Sequence, residues 1–384
     1  MSRPLPGSLY LNITRIIGYW LLATGYLFPC TASSQIKEFP IPTSFSRPVG
    51  IVVDSNGNLW FTEESANKIG RFDPLRQTFE EFEIPYKGGP SGIAVDSKGT
   101  VWVALSIGNS IVSFDATSKG FKRYPIPTRG GSPYAVAEGN DGTIWFTERN
   151  GNSIGVLDLT AGVIKEYPIP TKDSQPTGID IDAKGVVWFV ESNGNKIGAL
   201  EPETGRLSEY EIPQPFSNPS DIAIDKDGNV WFVEMNGNRL GMFNPAKKVF
   251  NDALIPSPSA VPVSIAIDRD GRVWFTENRG NRIGVFDPNN ATFKEYDIPT
   301  PRSLPIGITI DQKGVIWFTE ADRGANKIGR LELSPTLLSK GEGMPSKEET
   351  PSRRNLLPTL TIITGLILLF LAGFIWYLSR RRVG

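Results

Sequence analysis

Seven tryptophans recur along this chain at a nearly constant interval, and this period constrains the fold more than any other feature. The spacing is 42 residues once and then 43 residues five times, for Trp60, Trp102, Trp145, Trp188, Trp231, Trp274 and Trp317. Propeller blades and helical HEAT-type repeats share a period of this size. Each unit contains short β-branched runs broken by Asp-x-x-Gly and Ile-Pro, which a helix would not tolerate. The period therefore predicts a β-propeller.

The fifth unit illustrates the expected blade. Asp221–Asp225 is predicted as the inner strand, and Lys226–Gly228 as the hairpin turn, with glycine supplying the positive φ. Val230–Glu234 is apolar on both faces, as expected where blades pack sheet against sheet. The third strand is expected to start at Asn238, and the outer strand ends in Ile-Pro, which an edge strand accepts.

The Ile-Pro ending occurs seven times and predicts how the ring closes. The isoleucines are Ile41, Ile84, Ile126, Ile169, Ile212, Ile255 and Ile298. The first copy precedes any inner strand, whereas the last unit stops after its third strand near Leu333. We therefore expect an all-β, seven-bladed β-propeller over residues 36–333, closed by an N-terminal outer strand that leaves no open edge.

The N-terminal segment reads as a targeting sequence. Arg3 and Arg15 precede an uncharged apolar run over residues 16–28, and small residues follow. This order predicts a signal peptide over residues 1–33, with an uncleaved signal anchor as the alternative.

The C-terminal segment predicts a membrane anchor. Residues 334–354 are rich in Ser, Pro, Glu and Lys, typical of a flexible stalk. Residues 356–378 contain no charge and are long enough for a transmembrane helix, and residues 379–384 form a basic, cytoplasmic tail. The sequence thus predicts a single-pass protein at the cell surface, with an extracellular N-terminal domain and the membrane as a partner.

Composition excludes several function classes. The formal net charge of -1 creates no field that would attract nucleic acid. The sequence contains no histidine, so it offers no imidazole base or imidazole metal ligand.

Four segments carry a family resemblance: 166–170 (Glu-Tyr-Pro-Ile-Pro), 305–308 (Pro-Ile-Gly-Ile), 316–320 (Ile-Trp-Phe-Thr-Glu) and 326–330 (Asn-Lys-Ile-Gly-Arg). In them the chain resembles the streptogramin (virginiamycin B) lyase-like propeller family over residues 36–333. The resemblance implies the propeller fold of a carbon-oxygen lyase. Members of that family open a cyclic peptide antibiotic by metal-assisted elimination.

The residues that the family uses for this chemistry differ in this chain. Its two catalytic histidines correspond here to Val263 and Ile306, and its glutamate to Leu304. None of these side chains can transfer a proton. The resemblance therefore implies the family's fold without its known catalytic histidines.

Candidate ligand-binding residues are those that break the repeat in blades three to five. Glu138, Asp180 and Asp221 place acids on inner strands, and Tyr134 adds an aromatic at the opening of blade three. The acids lie at different heights, spanning about 10 Å, which is too far for one cation. We expect an acidic, hydrated channel wall; no cofactor is established, although Mg²⁺ or Ca²⁺ is the cation that such carboxylates would bind.

Two residues recur after the second strand of most blades. The glutamates are Glu63, Glu148, Glu191, Glu234, Glu277 and Glu320, and the asparagines are Asn67, Asn109, Asn152, Asn195, Asn238, Asn281 and Asn326. A ring of carboxylates could hold a divalent cation. The favoured interpretation is that these side chains satisfy backbone groups of the same local turn.

Cations in the outer-to-inner connections form a predicted basic arc over contiguous blades: Arg47, Lys87, Arg129, Lys172 and Arg302. Arg47 and Arg129 are candidates for contacting an acidic glycan or a carboxylate-bearing peptide. The favoured interpretation of the arc as a whole is ordinary solvated loop charge.

Three functions remain open from the sequence. A non-catalytic ligand-recognition or scaffold module on the cell surface, binding a small molecule or peptide, is favoured by the missing histidines and the anchor. A lyase or metal-assisted lactone hydrolase using carboxylates is the enzymatic alternative. A surface-layer component without a ligand is the third, since propellers host all three.

Overall fold

The computed structural model describes residues 36–333, which form seven four-stranded antiparallel sheets. The predicted signal peptide (1–33), stalk (334–354), transmembrane helix (356–378) and basic tail (379–384) lie outside the described residues. Within 36–333, no helix has the length and apolarity needed to cross a membrane.

The first strand of each sheet contacts the first strands of both neighbouring sheets around the axis of the ring. These inner strands are β2 (Pro48–Val53), β6 (Pro90–Val95), β10 (Pro133–Glu138), β14 (Pro176–Ile181), β18 (Pro219–Ile224), β22 (Pro262–Ile267) and β26 (Pro305–Ile310). The second strands are β3 (Leu59–Glu63), β7 (Val101–Leu105), β11 (Ile144–Glu148), β15 (Val187–Glu191), β19 (Val230–Glu234), β23 (Val273–Glu277) and β27 (Ile316–Glu320).

Two further strands complete each blade. The third strands are β4 (Lys68–Asp73), β8 (Ser110–Asp115), β12 (Ser153–Asp158), β16 (Lys196–Glu201), β20 (Arg239–Asn244), β24 (Arg282–Asp287) and β28 (Lys327–Leu331). The outer strands are β5 (Thr78–Glu83), β9 (Gly120–Pro125), β13 (Val163–Pro168), β17 (Arg206–Glu211), β21 (Val249–Leu254), β25 (Thr292–Asp297) and β1 (Ile36–Pro40).

The N-terminal strand closes the ring, as predicted. β1 pairs antiparallel with β28, and Ile36 lies opposite Leu331. Glu38 of β1 accepts hydrogen bonds from the backbone N–H and the hydroxyl of Thr300, both at 2.9 Å, and from the Lys327 ammonium at 2.9 Å. The seventh blade is therefore assembled from both ends of the described chain, and no sheet edge is left open between first and last blades.

The tryptophan period follows from blade-on-blade packing. Trp188 of blade four packs against Ile222 and Phe232 of blade five, and the same arrangement recurs around the ring. Its indole N–H donates to Asp182 at 3.1 Å, which satisfies the polar end of an otherwise apolar side chain. The tryptophan thus packs between blades in every unit and also bonds the turn aspartate in six of them, whereas Gly139 replaces that aspartate in blade three.

The glycine of the recurrent Ile-Gly sequence is required by a close contact inside each sheet. Phe189 lies opposite Gly198, and a Cβ atom on Gly198 would sit 2.0 Å from the Phe189 ring. In blade two the phenylalanine is replaced by Val103, and its partner becomes Val112. The smaller side chain leaves room for a Cβ atom, so the two positions change together.

Strand boundaries in blade five differ slightly from the prediction. The second strand has the predicted bounds, whereas the inner strand is shifted towards the N-terminus by one to two residues. Asp225 lies outside the strand because its carboxylate accepts the N–H groups of Asp227 and Asn229, both at 2.9 Å. Asn238 precedes β20 because its φ of 54° is incompatible with a strand.

Candidate ligand-binding site

The outer-to-inner connections and the second-to-third-strand loops lie at one end of the ring, which we call the mouth face. In blade three the backbone N–H groups of Arg149 and Asn150 donate to the carbonyl oxygens of Ser132 and Gly131, at 3.1 and 3.0 Å. These bonds join the two kinds of loop, as the sequence predicted. Side chains at the start of each inner strand therefore face the same opening.

The inner strands surround a cavity of roughly 200 Å³ on the axis at the mouth face, which we call the axial pocket. All seven inner strands line it, and its polar side chains are Ser91, Tyr134, Ser220, Asp221 and Ser264. Neighbouring inner strands approach closely, since a Cβ atom on Gly178 would lie 2.6 Å from the Asp221 Cα. The pocket is thus narrow, with most of its walls formed by backbone and aliphatic side chains.

Asp221 is the carboxylate of the axial pocket. Its Oδ1 accepts the Ile222 N–H at 3.0 Å, and its Oδ2 accepts the Ser264 hydroxyl at 2.6 Å and the Ile265 N–H at 3.1 Å. Burial raises the pKa of Asp221 to about 6, against the lowering effect of these donors. The carboxylate therefore links blade five to blade six and can change its charge near neutral pH.

Asp180 makes the same kind of link one blade earlier. Its Oδ1 accepts the N–H of Ile181 at 2.8 Å, and its Oδ2 accepts that of Ile224 in blade five at 2.9 Å. Burial raises its pKa to about 6, and the charge of Asp221 adds to this effect. Asp180 lies two residues further along its strand than Asp221, about 7 Å deeper, below the residues that line the axial pocket.

Tyr134 lies in the wall of the axial pocket, in blade three. The Arg149 guanidinium stacks over its ring, 5.6 Å from the ring centroid. Burial raises the pKa of the phenol above its usual value. Tyr134 therefore presents a neutral hydroxyl, which can both donate and accept a hydrogen bond.

Glu138 lies at the other end of the same strand. Its Oε1 accepts the Ser97 hydroxyl at 2.8 Å, and its Oε2 accepts the Ser97 N–H at 2.9 Å, in the inner hairpin of blade two. Four residues separate it from Tyr134, about 13 Å along a strand. The structure thus brings Tyr134 and Asp221 into one pocket and places Glu138 outside it.

The two arginines predicted to receive an anion are both exposed in connections of the mouth face. Arg47 forms an ion pair with Glu64 of the same blade. Its positive charge is therefore partly neutralised, whereas Arg129 extends from the connection that enters blade three. The role of both residues in anion binding stays a prediction.

The recurrent asparagines have the structural role that the sequence favoured. Asn195 donates through Nδ2 to the carbonyl oxygens of Ile212 and Gln214, at 3.1 and 3.0 Å, and its Oδ1 accepts the N–H and hydroxyl of Ser217. Its backbone has a φ of 56°, a conformation that asparagine tolerates. Each such asparagine holds the following connection in place.

The same expectation is wrong for the recurrent glutamates, which we call the inner glutamates. They are fully or almost fully buried, and among residues 36–333 no backbone N–H donates to the carboxylate oxygens of Glu63, Glu148, Glu191, Glu277 or Glu320. Burial raises their pKa values to about 7 or 8, and in most blades an outer-strand acid, such as Glu166 beside Glu148, adds to the shift.

Blade two provides an internal comparison for these acid pairs. Leu105 replaces the inner glutamate, and Arg123 occupies the place of the outer acid. Arg123 donates to the Ser110 hydroxyl and to the Gly108 carbonyl oxygen, both at 3.1 Å. The two acids are lost together, which indicates that they depend on each other.

No group of three or more acidic or cysteine side chains within residues 36–333 is arranged to hold a metal ion. The carboxylates of Asp180 and Asp221 are engaged with separate backbone donors. Binding of Mg²⁺ or Ca²⁺ stays a prediction.

The fold and the axial pocket define a seven-bladed propeller with a narrow, partly polar opening on its axis. Residues 24–254 and 202–339 match the sequence profile of the Virginiamycin B lyase family, and the chain belongs to this family.

Solved structures of lyases are similar over almost their whole length. A streptogramin B lyase is 36% identical, with 78% of this chain and 98% of that chain covered and a TM-score of 0.74. The virginiamycin B lyase from Staphylococcus aureus is 33% identical, with 78% and 99% covered and a TM-score of 0.73. A catalytically inactive variant of the Staphylococcus aureus enzyme, solved with quinupristin, is 34% identical with the same coverage and TM-score.

Proposed function

We propose that this propeller is a membrane-anchored, extracellular recognition module that binds a small molecule or peptide at the axial pocket without the histidine-dependent chemistry of its lyase relatives. The observation that carries this proposal is the lining of the pocket. Val263 and Ile306, which stand where the family resemblance implies catalytic histidines, both line it. An aliphatic side chain offers contact area but no proton transfer.

The remaining polar groups of the pocket are suited to orienting a ligand. Both in-plane lone pairs of Asp221 Oδ2 are engaged by donors, so this oxygen would have to lose a hydrogen bond before it could act as a base. Oδ1 accepts one bond and can accept another from a ligand amide or hydroxyl. Asp221 and Tyr134 thus add two polar groups to a wall that also carries Ser91, Ser220 and Ser264 among glycine and aliphatic residues, a mixture that is usual in a small-molecule site.

A carbon-oxygen lyase or metal-assisted lactone hydrolase is the second candidate. The raised pKa of Asp221, about 6, supports it, because a carboxyl group that titrates near neutral pH is matched to proton transfer. In that mechanism Asp221 would take the place of the absent histidine.

Quinupristin is a suitable probe, since it was solved with the inactive variant of the Staphylococcus aureus enzyme. The full chain, purified in detergent, is titrated with quinupristin by calorimetry and incubated with it for mass spectrometry, with and without Mg²⁺ or Ca²⁺. We expect binding with the ring intact, and weaker binding by Asp221→Asn. Glu138→Gln is the matched control, because Glu138 lies outside the pocket.

Other outcomes decide between the functions. Ring opening that Asp221→Asn abolishes would establish the enzyme. Absence of binding to cyclic peptides and lactones alike would instead favour a scaffold or surface-layer role.

The cellular location is tested separately. We expect the chain to stay in the membrane fraction after alkaline carbonate extraction and to be released when residues 356–378 are removed. We also expect protease added to intact cells to reach residues 36–333, since the propeller is proposed to lie outside the cell.

A further inference from the structure

A second pocket of the mouth face lies between blades four and five, and we call it the blade 4–5 pocket. It has a volume of about 420 Å³ and is lined by residues of the second-to-third-strand loops of both blades and of the connection between them. This volume is in the range of small-molecule sites, about 300–1,000 Å³. The axial pocket shares none of its lining residues.

One aromatic side chain dominates the blade 4–5 pocket. Phe216 is 87% exposed, although a phenylalanine is usually buried. Its φ of 55° places it in the left-handed region, which is unfavourable for a bulky residue. The same turn conformation recurs at Phe45, Asp173, Ser259 and Arg302, so the turn belongs to the repeat, and the exposed apolar ring is what distinguishes this connection from most others.

Accessible polar side chains surround this ring. Asn193, Asn218, Asn236 and Glu211 line the pocket, and all four are exposed or half-buried, so that their polar atoms are accessible from solvent. By contrast, Asn195 in the same pocket is occupied by backbone and serine partners. Three amides and one carboxylate are thus available to a ligand, as donors and acceptors in close proximity.

The charge of the lining narrows the ligand class. The described lining contains one carboxylate and no lysine or arginine, so it does not favour an anion. An apolar platform beside neutral amides and a carboxylate matches a pyranose sugar, which has an apolar C–H face and a rim of hydroxyl groups. The C–H face stacks on an aromatic ring, while amide and carboxylate groups bind adjacent hydroxyls.

We infer that the blade 4–5 pocket binds a neutral pyranose oligosaccharide, with Phe216 as the stacking platform and Asn193, Asn236 and Glu211 as hydroxyl partners. This site is separate from the axial pocket and adds a second ligand to the proposed function. Binding of the oligosaccharide involves no catalysis, and it does not depend on binding of a cyclic peptide at the axial pocket.

The chain provides its own matched control. Phe45 occupies the same repeat position in blade one and is also exposed, at 63%, with a φ of 58°. Its pocket is lined by Arg47 and Arg323 and not by amides. Replacing Phe45 removes an equally exposed ring from the same kind of connection, without altering the blade 4–5 pocket.

The experiment uses the full chain in a detergent without a sugar headgroup, since a maltoside detergent would compete. Saturation-transfer NMR and calorimetry are recorded with cellotriose and with a trisaccharide of N-acetylglucosamine, and sorbitol serves as a polyol that lacks the sugar ring. We expect millimolar or tighter binding of at least one trisaccharide, with transfer to the ring C–H protons, and no binding of sorbitol.

Variants then locate the site. We expect Phe216→Ala to weaken binding at least 10-fold, which corresponds to about 1.4 kcal/mol, Phe216→Trp to retain it, and Phe45→Ala to leave it unchanged. Asn193→Ala and Glu211→Gln are expected to weaken it 3- to 10-fold.

Three results would overturn the inference: no binding of either trisaccharide, equal binding of sorbitol, or binding that Phe216→Ala leaves unchanged. Binding lost in Asp221→Asn and retained in Phe216→Ala would assign the sugar to the axial pocket. Quinupristin binding is measured on the same variants, so that the proposed function and this inference can fail independently.

Discussion

Glu148 of blade three should make the stability of the propeller depend on pH. Its side chain is 0% exposed, and no backbone N–H of residues 36–333 donates to its carboxylate oxygens. The neighbouring Glu166 is held by the N–H and hydroxyl of Thr128, at 2.9 and 2.8 Å. Burial, with Glu166 adding to it, raises the pKa of Glu148 from 4.5 to about 8. Blade three has Ser153 where several blades place a lysine or arginine, so no cation offsets this effect.

The sign and size of the effect follow from proton linkage. A carboxyl group whose pKa is raised by folding stabilises the fold fully below pH 4.5, and this contribution is lost as the pH rises to about 8. The full shift corresponds to an upper limit of about 5 kcal/mol. We expect about 1–3 kcal/mol, because relaxation and water penetration reduce the cost of a buried charge.

Glu148→Gln removes the titrating group while preserving its shape. Between pH 5.0 and pH 8.5, the variant should gain about 1–3 kcal/mol of unfolding free energy relative to the parent chain. Urea denaturation followed by tryptophan fluorescence at both pH values measures this difference. Glu83→Gln, at the exposed end of an outer strand, is the matched control for the loss of one carboxylate. An equal effect of Glu148→Gln at both pH values would refute the reasoning, since the carboxyl would then not be held in its protonated form.

Two further substitutions test the repeat itself. Gly198→Ala places a Cβ atom 2.0 Å from the Phe189 ring and should destabilise the fold by about 1–3 kcal/mol; unchanged urea denaturation would contradict the role assigned to this contact. Asp225→Ala removes the acceptor of the Trp231 indole N–H, at 2.9 Å, and of two turn N–H groups. We expect a loss of about 2–3 kcal/mol and a lower melting temperature, and a neutral result would show that water replaces the carboxylate.

The ring and its closure were predictable from the sequence because both depend on local patterns. Each tryptophan marks one blade, and each Ile-Pro ending marks one outer strand. The Ile-Pro ending that precedes the first blade therefore predicted the pairing of β1 with β28. Tyr134 and Asp221 could be singled out because each interrupts a repeated position. Tyr134 and Asp221 line the same pocket because both lie near the start of an inner strand, and all inner strands start at the mouth face.

Other parts of the site depend on distances that the sequence does not contain. Glu148 and Glu166 belong to strands that are not adjacent, and their approach follows from the register of β12 between them. The blade 4–5 pocket depends on the left-handed conformation of Phe216, which the preferences of phenylalanine would not predict. The sequence does contain one indication of the acid pairs, because in blade two both acids are replaced, the inner one by Leu105 and the outer one by Arg123.

The pairing of Lys37 with Arg330 has a consequence for biosynthesis. Almost 300 residues separate these partners, which at about 5–20 residues per second takes roughly 15–60 s to translate. During that interval β1, the first of the described strands, has no pairing partner, and such an unpaired strand is prone to pair with another chain. Formation of the last blade is therefore the folding step that pairs β1 within its own chain and not with another. A chaperone that shields residues 36–40 would act before this step.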